Sequence, residues 1–178
     1  MRPVGSHLGR KFAREISQAF EGTLFRKKMR RPFEEHKDTA PLIRRRLQRF
    51  LKTESKDKAL QDVLFDWEGN DRRGREQKLK YPILGTLAYP DAAVLRPFKC
   101  AFEFDREKKQ GTSGFKNALM KASVHVLSGA YEACVLVFIL LPGLNPHEYL
   151  RDKSKHTRKL VKTLGAKGLY VSFTSAAG

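Results

Sequence analysis

Three acids stand close together in an otherwise basic chain: Asp91 in YPDAAVL, and Glu103 and Asp105 in FKCAFEFD. Side chains of a strand alternate between its two faces. A strand over Phe98–Asp105 therefore puts Lys99, Ala101, Glu103 and Asp105 on one face and Cys100, Phe102 and Phe104 on the other. Two carboxylates sharing a face repel unless a proton or a cation offsets them. Asp91 just precedes another apolar run, Ala92–Leu95, and Arg96-Pro97 suggests a hairpin between the two, which lets Asp91 approach Glu103. Convergent carboxylates suit Mg²⁺, which keeps several waters and can activate one of them against a phosphodiester. Each acid alone has a plainer account, Asp91 as a turn residue after Pro90 and the other two as a solvated strand end. The three together, between apolar strands, favour a metal site at Asp91, Glu103 and Asp105.

The balance of charge agrees with a phosphodiester partner. Lys and Arg total 36 against 19 Asp and Glu in 178 residues, a formal charge of +17 spread along the chain. Such a surface binds polyanions and releases their counterions. The five histidines are scattered, no CxxC or HxxxH occurs, and the two cysteines, Cys100 and Cys134, sit among apolar residues as buried free thiols do. Zinc is thereby disfavoured and oxygen ligands are expected. The longest apolar run, Ala133–Leu141, is strand-sized, well short of the roughly 18 residues that span a bilayer. MRPVGSHLGRKF has no apolar stretch of the secretory kind, so a cytoplasmic, non-membrane protein is expected.

The elements that must position these acids follow from periodicity. Leu8, Phe12, Ile16, Phe20 and Leu24 recur every fourth residue, which predicts a helix from Ser6, as N-cap, to about Phe25. RKKMRRP, Arg26–Pro32, follows as a basic connection. Thr39 and Pro41 read as cap and first turn of a second helix, with Leu42, Ile43, Leu47, Phe50 and Leu51 inward and arginines outward. Leu60, Val63, Leu64 and Trp67 predict a third helix over Lys56–Trp67, with Trp67 in the core, and EGNDRRGRE a loop.

Strands are then expected at Leu79–Leu87, Ala92–Leu95 and Phe98–Asp105, a helix at Phe115–Gly129, and a doubly buried strand at Val135–Leu140. A helix at His147–Leu164 and a strand at Gly168–Thr174 complete the chain. QGTSG, before the Phe115 helix, is a turn with some capacity to hold a phosphate. Asn117, Lys121, His125 and Ser128 form a polar stripe on that helix, most simply a solvated one, alternatively with the lysine and histidine facing an active site or a nucleic acid. The order predicts an α/β fold, a mixed central sheet flanked by helices, in one domain over 1–178: mainly helical and basic over 1–78, an α/β core over 79–178.

Pro90-Asp91, Glu103-x-Asp105, the helix and the strand VLVFIL together resemble the PD-(D/E)xK superfamily, the restriction-endonuclease-like nucleases. The resemblance covers Leu79 to about Thr174 and, more loosely, the first helix. It implies a restriction-endonuclease-like fold and a metal-dependent DNA endonuclease, a type II restriction enzyme among the options. Mg²⁺ or Mn²⁺ would be held by Asp91 and Glu103, with Glu15, in GRKFARE, assisting. The family's lysine, two residues after the glutamate, is replaced by Asp105, which would serve as a further metal ligand. Lys116 or Lys121, from the following helix, would then orient the water. The partner would be double-stranded DNA, gripped by basic residues between Arg26 and Lys52, with a homodimer suited to cutting both strands. The alternative is a non-catalytic nucleic-acid-binding protein that keeps the nuclease-like fold.

Overall fold

The computed structural model describes residues 5–21, 35–54, 64–67, 80–106, 113–140 and 154–175. The first helix, α1 (Gly5–Phe20), buries Phe12, Ile16 and Phe20 of the predicted stripe, each at most 1% exposed, with Leu8 half-buried and Leu24 outside the described residues. Helix α2 spans Glu35–Glu54, so it begins before the expected cap, and Pro41 lies inside it. Thr39 and Ala40 are themselves buried, as are Ile43, Leu47, Phe50 and Leu51. Packing along that whole side offsets the amide bond that Pro41 cannot make.

Leu64–Trp67, expected to close a helix, is instead a strand, β1. Its helical spacing of apolar residues is short and ambiguous, and pairing with a neighbour decides it. The expected Leu79–Leu87 strand is two short ones, β2 (Tyr81–Ile83) and β3 (Thr86–Ala88), paired antiparallel as a separate hairpin. Leu84 and Gly85 form its two-residue turn, with φ of 49° and 73°. Positive φ at both central positions is the geometry that matches strand twist in a tight hairpin.

The remaining elements are β4 (Ala92–Arg96), β5 (Cys100–Arg106), α3 (Ser113–Leu127), β6 (Ala133–Leu140), α4 (Ser154–Ala166) and β7 (Leu169–Ser175). They build a mixed five-stranded sheet in the order β1-β4-β5-β6-β7. Strand β4 pairs antiparallel with both β1 and β5, while β6 pairs parallel with both β5 and β7. Parallel neighbours need crossovers, which α3 and α4 supply. Every residue of β6 is buried, as a central strand covered on both faces requires.

The two faces hold separate cores. Phe12, Ile16 and Phe20 of α1 and Ile43, Leu47 and Phe50 of α2 pack on Phe102, Phe104, Val135 and Val137. On the other face Phe115, Leu119 and Ala122 of α3 and Leu164 of α4 pack on Ala101, Leu136, Phe138 and Phe173. The chain is thus α/β, a mixed sheet flanked by helices. Cys100 and Cys134 are buried free thiols, and burial raises both their pKa values. Among the described residues no helix is long and apolar enough to cross a membrane. The basic segment Arg26–Pro32, most of QGTSG, the loop after Trp67, the Trp67 side chain and the start of the His147 helix lie outside what is described.

Candidate functional site

Strand register brings the first two acids together. Ala92 pairs with Phe102 and Ala93 with Ala101, so continuing the ladder by one residue sets Asp91 opposite Glu103. Residues opposite each other in an antiparallel pair share a face. That face is the α3 side, to which Ala101 also points. Both acids are buried, Asp91 at 7% exposure and Glu103 at 2%. Burying two carboxylates is unfavourable unless each oxygen is satisfied.

Each carboxylate spends one oxygen on a fixed donor. Asp91 Oδ2 accepts the backbone N–H of Phe104 at 2.7 Å, and Glu103 Oε1 lies 2.6 Å from His125 Nε2. The other two oxygens face one cation: Lys121 Nζ is 2.7 Å from Glu103 Oε2 and 3.4 Å from Asp91 Oδ1. Lys121 and His125 are four residues apart on α3, hence on one side of it. Of the two readings of the polar stripe, His125, 1% exposed, and Lys121 take the one that faces the site, while Asn117 and Ser128 are exposed. Behind it, the Tyr81 hydroxyl lies 2.6 Å from His125 Nδ1, and Tyr131 packs edge-on against both rings.

The electrostatics follow from this enclosure. Burial pushes the Glu103 carboxyl above its ordinary value of 4.5, and the charge of Asp91 adds to the rise, while His125 and Lys121 hold it back. Burial by itself would lower the Lys121 pKa, but the carboxylates of Glu103 and Asp91 outweigh it, so the ammonium stays charged. Burial also raises the Tyr81 hydroxyl, which keeps its proton.

Three other expected site residues stand elsewhere, as do basic residues of α2. Asp105 is one full pleat repeat, about 7 Å, beyond Glu103 along β5, and its Oδ1 accepts the N–H of Arg106 at 2.8 Å. Among the described residues no three His, Cys, Asp or Glu side chains gather as a metal-holding group. Lys116 is exposed, five residues before Lys121 and therefore rotated well off its side of α3. Glu15 is on the exposed side of α1, which covers the opposite face of the sheet. Arg45, Arg49 and Lys52 are exposed on α2, also across the sheet from α3.

No family model, curated protein or solved structure matches this chain. The site is legible through its own chemistry alone. Asp91 Oδ1 and Glu103 Oε2 converge on a point already held by a cation, the Lys121 ammonium. Their hard oxygen atoms fit Mg²⁺ or Mn²⁺, ions that commonly take one or two carboxylates and complete their shell with water. Tyr81 had no sequence signal, because its partner His125 is 44 positions away.

Proposed function

We propose that the protein is a cytoplasmic, metal-dependent DNA endonuclease of restriction-endonuclease-like fold. The observation that carries this is the convergence of Asp91, Glu103 and Lys121 at one buried point. Antiparallel strands bearing Asp91 and Glu103, followed by a crossover helix and a buried parallel strand, are the context that the PD-(D/E)xK resemblance implies. Lys121 supports it by supplying, from α3, the lysine absent at position 105.

Asp91 Oδ1 and Glu103 Oε2 would hold Mg²⁺ or Mn²⁺, which when bound lowers the pKa of a water and offsets charge on the phosphate. Asp91 is fixed for that task by the Phe104 amide and Glu103 by His125. Lys121, whose ammonium would yield the point between Asp91 Oδ1 and Glu103 Oε2 to the metal, would stand beside it to orient the attacking water and counter the developing negative charge. Duplex DNA would be gripped by the basic side of α4. Lys155, Arg158 and Lys162 are exposed there at spacings of three and four, on the same face of the sheet as α3.

Supercoiled plasmid incubated with the purified chain, with Mg²⁺ or Mn²⁺ and then with EDTA, tests the activity. Metal-dependent nicking that disappears in Asp91→Asn and Glu103→Gln is expected. A second reading, a nucleic-acid-binding protein without catalysis, is favoured by one fact: Lys121 already places a cation between the two carboxylates. Retardation of the plasmid with no nicking under either ion would select it.

A further inference from the structure

We propose that Tyr81 and His125 are positioning residues that hold Glu103 in the one rotamer able to share a divalent cation with Asp91. The proposal rests on the metal-dependent site above and deepens it, because neither residue belongs to the motif that suggested that site.

The chain of bonds has a direction. A carboxylate oxygen accepts, so His125 Nε2 must carry the hydrogen that bridges the 2.6 Å to Glu103 Oε1. In a neutral imidazole the other nitrogen then accepts, and the Tyr81 hydroxyl is the donor 2.6 Å away. Tyr81 thereby selects the tautomer, and His125 anchors one oxygen of Glu103. A glutamate has three rotatable torsions, and without an anchor it would sample orientations that turn Oε2 away from Asp91. With Oε1 held, Oε2 faces the point where Lys121 Nζ now stands.

A plain core histidine would need only any partner for each nitrogen. The partner found here comes from β2, in the small hairpin that shares no ladder with the main sheet. The Tyr81 hydroxyl is therefore a point at which that hairpin engages the site, with ring contacts from Tyr81 to His125 and Tyr131 beside it. A group that orients a metal ligand from behind changes metal affinity or activity by about 10- to 100-fold when removed.

The test measures Mn²⁺ binding to the full chain without DNA, by calorimetry and by electron paramagnetic resonance, alongside plasmid nicking. The variants are Tyr81→Phe, His125→Phe, His125→Gln and, as control, Glu103→Gln, with far-ultraviolet circular dichroism and thermal melts to establish folding. Tyr81→Phe and His125→Phe are expected to weaken Mn²⁺ binding by about 10- to 100-fold, with duplex affinity in EDTA unchanged. His125→Gln, whose amide can still donate to Glu103, is expected to recover most of that loss. Tyr81→Phe removes a single oxygen and keeps the test decisive if His125→Phe does not fold. Wild-type Mn²⁺ affinity in Tyr81→Phe, and in His125→Phe where it folds, with binding abolished in Glu103→Gln, would overturn the positioning role and leave the site standing. Mn²⁺ binding that survives Glu103→Gln, or is absent from the wild type, would overturn both.

Discussion

Lys121 Nζ stands 2.7 Å from Glu103 Oε2, although the two residues lie on different elements, a helix and a strand. On the proposed nuclease reading, the contact supplies from α3 the lysine that position 105, an aspartate, does not.

Removal of that ammonium is therefore expected to be felt twice. Lys121→Met should lose cleavage by about 100-fold or more, the scale of deleting one preorganised electrostatic contact. It should also leave Asp91 and Glu103 as unbalanced buried like charges. The metal-free variant is expected to melt below the wild type and to regain stability when Mn²⁺ is added. A melt in EDTA and a second in Mn²⁺ check this, and equal melting of variant and wild type in both would count against the pair being repulsive.

Asp91 has two separable roles, one per oxygen. Oδ2 satisfies the buried Phe104 N–H and Oδ1 faces the cation point. Asp91→Ala should destabilise the fold by about 1 to 3 kcal/mol, the usual cost of orphaning a buried donor. Asp91→Asn keeps an oxygen for the amide and should fold close to wild type, yet be as inactive as alanine. Urea denaturation of the two variants, beside nicking assays, distinguishes the roles.

The parts of this design that show in sequence are those written in a period. The four-residue repeat of Phe12, Ile16 and Phe20 marks α1, and an unbroken apolar run marks β6, because burial leaves its trace in residue type. Asp91 and Glu103 were legible together because a strand's alternation and a short turn suffice to make them meet. Leu64–Trp67 was not, since four residues carry too little pattern to outweigh a helical spacing, and ladder pairing with β4 is a long-range fact. The direction in which α3 faces was hidden for the same reason. Lys121 enters only through the family resemblance and, with His125, as one of two readings of a polar stripe, until the crossover lays both against Glu103.

Glu103 makes stability depend on pH in a direction unlike that of most carboxylates. Its pKa is raised in the folded state, by burial first, so between 4.5 and that raised value the native chain binds more protons than the unfolded one. Stability from this group is full below the unfolded value and is lost as pH rises through the folded one. Glu103→Gln removes the ionisation, so its stability relative to wild type should improve as pH rises through that window in EDTA. Denaturation midpoints of both proteins on an acid-to-neutral series measure the difference, and a difference independent of pH would contradict it. Lys121 has the same sign in alkali: burial lowers its pKa but the carboxylates of Glu103 and Asp91 raise it more, so its contribution is full below 10.5 and is lost as pH rises through the folded value.

The hairpin turn offers a test that does not involve the site chemistry. Leu84 is 94% exposed and sits at a φ of 49°, a conformation that costs an L-residue with a Cβ about 1 to 2 kcal/mol. Asn tolerates it far better, and Asn-Gly is the favoured pair for such a turn. Leu84→Asn should raise hairpin stability by up to about 1 kcal/mol. Slower hydrogen exchange at the amides of Ile83 and Thr86 is the expected readout, and unchanged exchange would mean the turn is not strained.

Where DNA lies can be decided by salt. Two exposed basic stripes flank the sheet, Lys155, Arg158 and Lys162 on α4 and Arg45, Arg49 and Lys52 on α2, on opposite faces. A duplex whose phosphate reaches Asp91 and Glu103 must approach from the α3 side, which α4 shares. Each phosphate contact contributes about 0.9 to the slope of log affinity against log salt. Replacing the three α4 residues by glutamine should therefore flatten that slope by up to about 2.7. The matching α2 triple variant should leave the slope nearly unchanged. Fluorescence anisotropy with a labelled duplex in EDTA, between low and physiological salt, measures both. If the α2 variant alone loses the slope, the duplex crosses the far face and cannot be presented to Asp91 and Glu103 as proposed. Retardation would then be a property of the surface and not of the site.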